Sequence, residues 1–447
     1  MARLAGETSI RRRSGYGRGA SILSVGIATT GIVTFAYFSV ASHVLTDAEY
    51  TSISLLWSVL FVTVSVIYRP IEQLLSRTIA ERRARGHEHD HPLRTPLLIQ
   101  GGFALAFAIV ALALRGPIQD GLFDGSAALY WILFVAVLAY AASYFARGWL
   151  AGHQWFGLYG GLVFLEATSR LMFALAVAVG IASGQNVVAL GMAAAPFVSL
   201  VVVPLAFARR PPATGERRAR DDDLGMARGG RFAVAVLLIM LSEQTLLNGA
   251  VITTDLTAED AAVAGFVFNV LLIARAPLQL FQAVQGSLLP HLAGLEASAD
   301  RAAARRAIRV TVLAIAGFAG AVAIGLLAIG PWVMDVLFDD GASYGRWGLA
   351  LVAVAMGLHL IAGTLNQSAL ARDVAGRAAA AWLVCATAFV IWLVVPVVDD
   401  ALLRAEIGYL GAAALLCALL TVLYRRSDKV VHIWRTPSNT TPSTPGT

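Results

Sequence analysis

Residues 95–124 read TPLLIQGGFALAFAIVALALRGPIQDGLFD. The first twenty of them, 95–114, contain no Asp, Glu, Lys or Arg. About 20 mostly apolar residues in a helix cross the hydrocarbon of a bilayer. The last ten carry Gly116-Pro117, a short run, and Leu122-Phe123-Asp124. The same order returns 214–216 residues later, as Gly330-Pro331 followed by Leu337-Phe338-Asp339-Asp340. This one stretch therefore carries a membrane span and one arm of an internal repeat.

Eleven further stretches share the apolar character of 95–114. The twelve spans are 20–44, 51–79, 95–114, 127–149, 159–182, 187–208, 231–253, 260–290, 309–333, 347–370, 376–397 and 404–424. The whole chain agrees: 58% of its 447 residues are hydrophobic and 14% charged, against roughly a quarter charged in a soluble domain. Mean hydropathy is +0.71. Too few polar side chains remain to cover a soluble core of this size, which excludes a soluble enzyme, a disordered protein and a fibrous repeat.

Charge placement sets the orientation. With the N-terminus inside, 28 of the 34 Lys and Arg fall on the inner side and three (Arg115, Arg346, Arg404) on the outer side. Basic residues are retained on the cytoplasmic face. An even number of spans with both termini cytoplasmic, in the cell membrane, is expected. The same asymmetry accounts for the net charge of +6 without a nucleic-acid partner.

Two weaker matches extend the repeat: Arg69-Pro70 with Ala276-Pro277, and Leu150-Ala151 with Leu370-Ala371. The expected plan is an all-α polytopic membrane protein with two parallel six-helix lobes around a central cavity. Its parts are a cytoplasmic N-tail (1–19), an N-lobe (20–208), a cytoplasmic linker (209–230), a C-lobe (231–424) and a disordered tail (425–447). Parallel repeats place a substrate path at the interface of the lobes. Pro70 and Pro277 each remove a helix hydrogen bond and are candidate kinks or hinges.

Charges inside spans single out the candidate site. Arg69, Arg170 and Arg275 would together cost roughly 8–10 kcal/mol if they faced lipid. They must meet water, a partner charge or the interface. Glu166 and Arg170, four apart with the acid first, suit an intrahelical ion pair. Arg69 and Glu72 are three apart on one face. Arg275, Gln279 and Gln282 form one polar stripe on span 8, and Glu243, Gln244 and Asn248 a polar patch on span 7. Glu243 is a candidate partner for Arg275. Arginine's planar fork suits phosphate, while Gln73, Gln244, Asn248, Gln279 and Gln282 could exchange hydrogen bonds with sugar hydroxyls. His87, His89 and His91 read as a solvated loop rather than a metal site. No catalytic constellation, cofactor motif or metal motif emerges.

Several segments together resemble the polysaccharide flippases of the multidrug/oligosaccharidyl-lipid/polysaccharide exporter superfamily. They are the Gly31 region with Leu45-Thr46-Asp47-Ala48-Glu49-Tyr50, Arg69-Pro70-Ile71-Glu72-Gln73, and Ala146-Arg147-Gly148-Trp149-Leu150-Ala151-Gly152 closing at Phe156-Gly157. Glu166, Arg170 and Ala276-Pro277-Leu278-Gln279-Leu280-Phe281-Gln282-Ala283 complete the set. The resemblance implies alternating-access movement of a polyprenyl-diphosphate-linked oligosaccharide from the inner to the outer leaflet. It implies a cationic cavity for the diphosphate at Arg69, Arg275 and Arg170, and polysaccharide polymerases or glycosyltransferases as partners. A multidrug or organic-cation antiporter of the same superfamily is the alternative, with Glu72, Glu166 or Glu243 as coupling sites. A major-facilitator transporter and an integral-membrane glycosyltransferase or polymerase are the other readings.

Overall fold

The computed structural model describes residues 25–26, 29–86, 93–204, 225–257, 287–337, 345–395 and 397–433. The described residues form helices and connecting turns, with no strand among them. The first half holds α1 (29–44), α2 (Asp47–Ala84), α3 (Arg94–Ala113), α4 (Arg115–Phe123), α5 (Ala127–Gly152), α6 (Phe156–Ala178) and α7 (Gln185–Ser199). The second half holds α8 (Met226–Thr257), α9 (287–297), α10 (Arg301–Leu337), α11 (Arg346–Ala371), α12 (Ala375–Val394) and α13 (Ala401–Ile433). Among the described residues ten helices are long and apolar enough to cross a membrane. The other two spans read from the sequence, 20–44 and 260–290, lie partly and largely outside the described residues. Leu105, Ile109, Phe197, Ile324 and Ile391 stand exposed on helix flanks, as side chains facing lipid do.

Local chemistry explains where the central helix begins. Thr46 caps α2: its hydroxyl accepts from the Glu49 amide, and the Glu49 carboxylate accepts from the Thr46 amide at 3.1 Å. This capping box satisfies two orphan donors at the helix start. From there α2 runs 38 residues, about 57 Å at 1.5 Å per residue, so it projects well beyond a hydrocarbon core of about 30 Å. Pro70 sits inside this helix without ending it. Pro277 lies outside the described residues.

Close helix contact requires small side chains. A Cβ on Gly148 would stand 2.9 Å from the Glu72 carbonyl oxygen, and one on Gly152 would stand 2.7 Å from the Ile79 Cβ. The pair has the four-residue spacing that lets membrane helices approach closely, and it seats α5 on α2 beside Glu72.

Packing repeats between the halves. In the first, α5 lies against α6 and α7, and α6 against α7; in the second, α11 lies against α12 and α13, and α12 against α13. The quoted repeat differs in detail. Gly116-Pro117, expected in an outer loop, instead opens the short helix α4 after a break at Leu114, whereas Gly330-Pro331 lies inside the 37-residue α10. A proline in the first helical turn forfeits no hydrogen bond, which lets α4 form. Two other boundaries move. Helix α8 starts at Met226, within the expected linker, and α13 continues to Ile433, into the tail expected to be disordered from 425. The basic residues Arg425 and Arg426 suit the C-terminal part of a helix.

Each half has its own apolar core. Tyr37, Leu56, Tyr68, Tyr130, Tyr140 and Met192 fill the first. Trp382, Phe389, Tyr409, Leu360 and Leu416 belong to the second. Four side chains of the first half, Ile71, Leu74, Ala80 and Ile99, pack into the second core beside Phe232, Val236 and Leu289. This is where α2 and α3 meet α8, toward the arginine-rich end of the bundle.

Candidate functional site

Among the described residues Glu166 is the most deeply buried acid of the first half, 1% exposed. It is held by the Arg147 guanidinium and the Ser143 hydroxyl, both from α5. The Ser199 hydroxyl also lies within 3.4 Å, although it donates more closely to the Pro196 carbonyl at 2.8 Å. The expected Glu166–Arg170 pair does not form. Arg170 donates instead to the Tyr140 hydroxyl at 2.9 Å and lies over the rings of Trp57 (4.9 Å) and Phe61 (5.4 Å). An aromatic box can hold a desolvated guanidinium, and such contacts are worth about 2 kcal/mol when buried. Arg147 reaches Glu166 because α5 continues to Gly152, which places Arg147 within the helix rather than at an interfacial end.

Glu72 and Arg69 stand three residues apart on α2. Glu72 is buried and accepts a 2.7 Å hydrogen bond from the Tyr159 hydroxyl of α6. Arg69 is partly buried. Among the described residues its guanidinium has no hydrogen bond and no ion pair within reach, but it feels the charges of Glu243 and Glu72. Gln73, one residue on from Glu72, is buried with its Oε1 unpartnered among the described residues.

Glu243 faces this group from α8. Its carboxylate lies 3.6 Å from His359 Nε2 on α11. His359 is fully buried, stacked on Tyr409 and edge-on to Trp382. Asn248 bonds back to Gln244, at 3.0 Å to its carbonyl and 3.1 Å to its side-chain oxygen. The candidate Glu243 partner Arg275, with Gln279 and Gln282, lies outside the described residues. Sequence reasoning missed His359. The available signal was a histidine well inside an apolar span, in Gly357-Leu358-His359-Leu360, where water cannot reach it. Arg77, near the end of the span read as 51–79, is buried and pairs with Glu81 at 2.6 Å and Asp373 at 3.1 Å.

The arrangement is a polar layer across an apolar bundle. The first half contributes three arginines and two acids to it, and the second half Glu243 with His359. Among the described residues no cluster of side chains could hold a metal ion.

No family model matches the chain. Solved structures do share its fold. Superposition on the Vibrio cholerae MATE transporter VcmN in its bent form gives a TM-score of 0.72 at 14% identity, covering 94% of this chain and 99% of that one. The fold is the MATE fold. It is all-helical, polytopic and two-lobed. The eukaryotic MATE transporter AtDTX14 superposes with a TM-score of 0.70 at 14% identity over 94% of this chain and 99% of that one. A MOP superfamily transporter from Pyrococcus furiosus, described as having a binding pocket of reverse polarity that suggests a different function, gives 0.74 at 14% identity over 93% and 96%. In sequence, the chain is 27% identical over 379 residues to the uncharacterized Mycobacterium tuberculosis protein Rv1510, spanning 78% of this chain and 81% of that protein. All three of these solved structures are of transporters.

Proposed function

We propose that the chain is an alternating-access exporter that moves a polyprenyl-diphosphate-linked oligosaccharide from the inner to the outer leaflet of the cell membrane, for cell-surface polysaccharide synthesis. The observation that carries this reading is Arg69. It is a half-buried arginine on α2 whose guanidinium has no hydrogen bond or ion pair among the described residues. Of the acids around it, Glu166 is paired with Arg147, Glu72 accepts from the Tyr159 hydroxyl, and Glu243 lies 3.6 Å from His359 Nε2. An anion therefore finds an available fork, while Glu166 is already neutralised by Arg147.

The geometry also supplies a response to cargo. In this reading Arg69 on α2 and Glu243 on α8 attract one another across the seam when no cargo is bound. A diphosphate carries more charge than one carboxylate and competes for the same guanidinium through bidentate bonds. Loading then weakens the attraction between lobes and leaves Glu243 to His359. Arg275 and the Gln279–Gln282 stripe complete the anion site in this reading, and Arg170 supports it from the aromatic box. Polymerases or glycosyltransferases that consume the delivered lipid-linked glycan are the proposed protein partners.

A second reading is a multidrug or organic-cation antiporter, favoured by the solved MATE transporters and by the buried Glu243–His359 pair, which could exchange a proton or cation. Mass spectrometry of lipids co-purifying in mild detergent separates the two. Polyprenyl-diphosphate sugars retained by the native chain and lost from an Arg69→Ala/Arg275→Ala double variant support the flippase. Absence of such lipids, with organic-cation binding that depends on Glu72 or Glu243, supports the antiporter.

A further inference from the structure

A charged cavity lies away from the membrane-embedded layer, at the arginine-rich end. It has a volume of about 420 Å³ and opens between the halves. Arg77 on α2 and Arg85 at its C-cap line one side. Arg228 on α8, Arg301 at the start of α10, and Arg372 and Arg377 around the α11–α12 turn line the other. Six arginines thus face three acids, Glu81, Glu296 and Asp373.

The acids are all occupied. Asp373 bridges the halves, accepting from Arg77 at 3.1 Å and from Arg228 at 2.9 Å. It does so with a left-handed backbone, φ +63°, a conformation that costs a non-glycine residue of order 1 kcal/mol or more. Glu81 is held by Arg77 at 2.6 Å, and Glu296 by Arg372 at 2.7 Å. Arg85, Arg301 and Arg377 remain, and none has an acidic partner among the described residues. Helix α12 also starts here, with Val374 in the cavity wall and no side chain capping its first amides. Such an uncapped N-terminus adds partial positive charge.

We infer that this cavity is a binding site for a phosphate-bearing anion with about three negative charges, built across both halves. Three guanidiniums without an acidic partner among the described residues repel one another when the space is empty. Paired phosphoryl oxygens match their planar forks. The same chemistry is offered by a soluble diphosphate and by the headgroup of an anionic lipid. Because Arg85 belongs to the first half and Arg301 and Arg377 to the second, a bound anion ties the two together on this side. It reinforces the Asp373 bridge and favours the state in which the arginine-rich end is closed.

The test uses the full chain in nanodiscs. Inorganic pyrophosphate is titrated calorimetrically into phosphatidylcholine discs. Separately, discs containing phosphatidylglycerol, without pyrophosphate, are analysed by native mass spectrometry. An Arg85→Gln/Arg301→Gln/Arg377→Gln variant is compared with Arg306→Gln/Arg309→Gln/Arg426→Gln, which removes equal charge outside the cavity. Each lost charge-assisted bond should weaken binding on the order of tenfold. Pyrophosphate binding lost in the first variant and kept in the second supports a soluble ligand. Retained phosphatidylglycerol lost in the first variant alone supports a lipid headgroup. Equal behaviour of the two variants, or no binding of either probe by the native chain, overturns the inference. A single Arg377→Gln variant, an exposed change that leaves the helices intact, should show a reduced form of the same loss.

Discussion

Glu166 is a carboxylate 1% exposed in a membrane bundle, and the structure gives it one cationic partner, Arg147. Replacing Arg147 by Gln leaves the acid with Ser143 and the distant Ser199 contact alone. Breaking a buried pair by removing one member costs about 3–5 kcal/mol, because the remaining charge stays buried. Midpoints move about 2–4 °C per kcal/mol for a domain of 150–250 residues, so the melting midpoint should fall by roughly 6–20 °C. Glu166→Gln combined with Arg147→Gln removes both charges and should recover most of the loss. Arg170 serves as the control. It lies four residues from Glu166 on the same helix, yet bonds Tyr140 and two aromatic rings. Arg170→Gln should therefore lower the midpoint without coupling to Glu166→Gln. The assay is tryptophan-fluorescence melting of the purified chain, run as two double-mutant cycles. Strong coupling of Glu166 to Arg170, with none to Arg147, would refute the assignment.

Two other expectations follow from the same geometry. Trp57→Leu takes away one ring over Arg170 and should cost about 1–2 kcal/mol, read as a lower midpoint that Arg170→Met partly offsets. Gly148→Val drives a side chain into the Glu72 backbone, where a Cβ alone already stands 2.9 Å from the carbonyl oxygen, and should destabilise by about 1–3 kcal/mol. Gly161→Ala on α6 meets open space and should be neutral or slightly stabilising in the same melting assay.

The spans and the two-fold organisation were legible because they rest on long apolar runs and on the order of short motifs. Both survive uncertainty of a few residues at any boundary. The pairing of charges was not legible, because it depends on which helices face one another. Glu166 and Arg170 satisfy the helical spacing for an ion pair, but α5 presents Arg147 from a neighbouring helix, and Trp57 and Phe61 on α2 give Arg170 another environment. Arg77 and Arg147 lie near the ends of the apolar runs 51–79 and 127–149. Helices α2 and α5 extend past those runs, to Ala84 and Gly152, and carry both arginines into contacts between elements. His359 shows the complementary blindness. One histidine among leucines carries no periodic signal, and its closeness to Glu243 arises only when α11 packs near α8. Thr46 and Glu49 were visible as a motif, and their three-residue spacing is the capping box that starts α2. Gly116-Pro117 had the composition of a loop, yet its proline falls in a first helical turn, where it is tolerated.

The central claim concerns the charge of the cargo. It is tested most directly by proteoliposomes holding the native chain or Arg69→Gln, with leaflet transfer of a fluorescent short-chain prenyl-diphosphate disaccharide followed beside uptake of a fluorescent organic cation. The account predicts transfer of the diphosphate lipid by the native chain, a loss of tenfold or more in Arg69→Gln, and no cation uptake. Cation uptake that survives Arg69→Gln and disappears in Glu243→Gln, with no transfer of the diphosphate lipid, would contradict it.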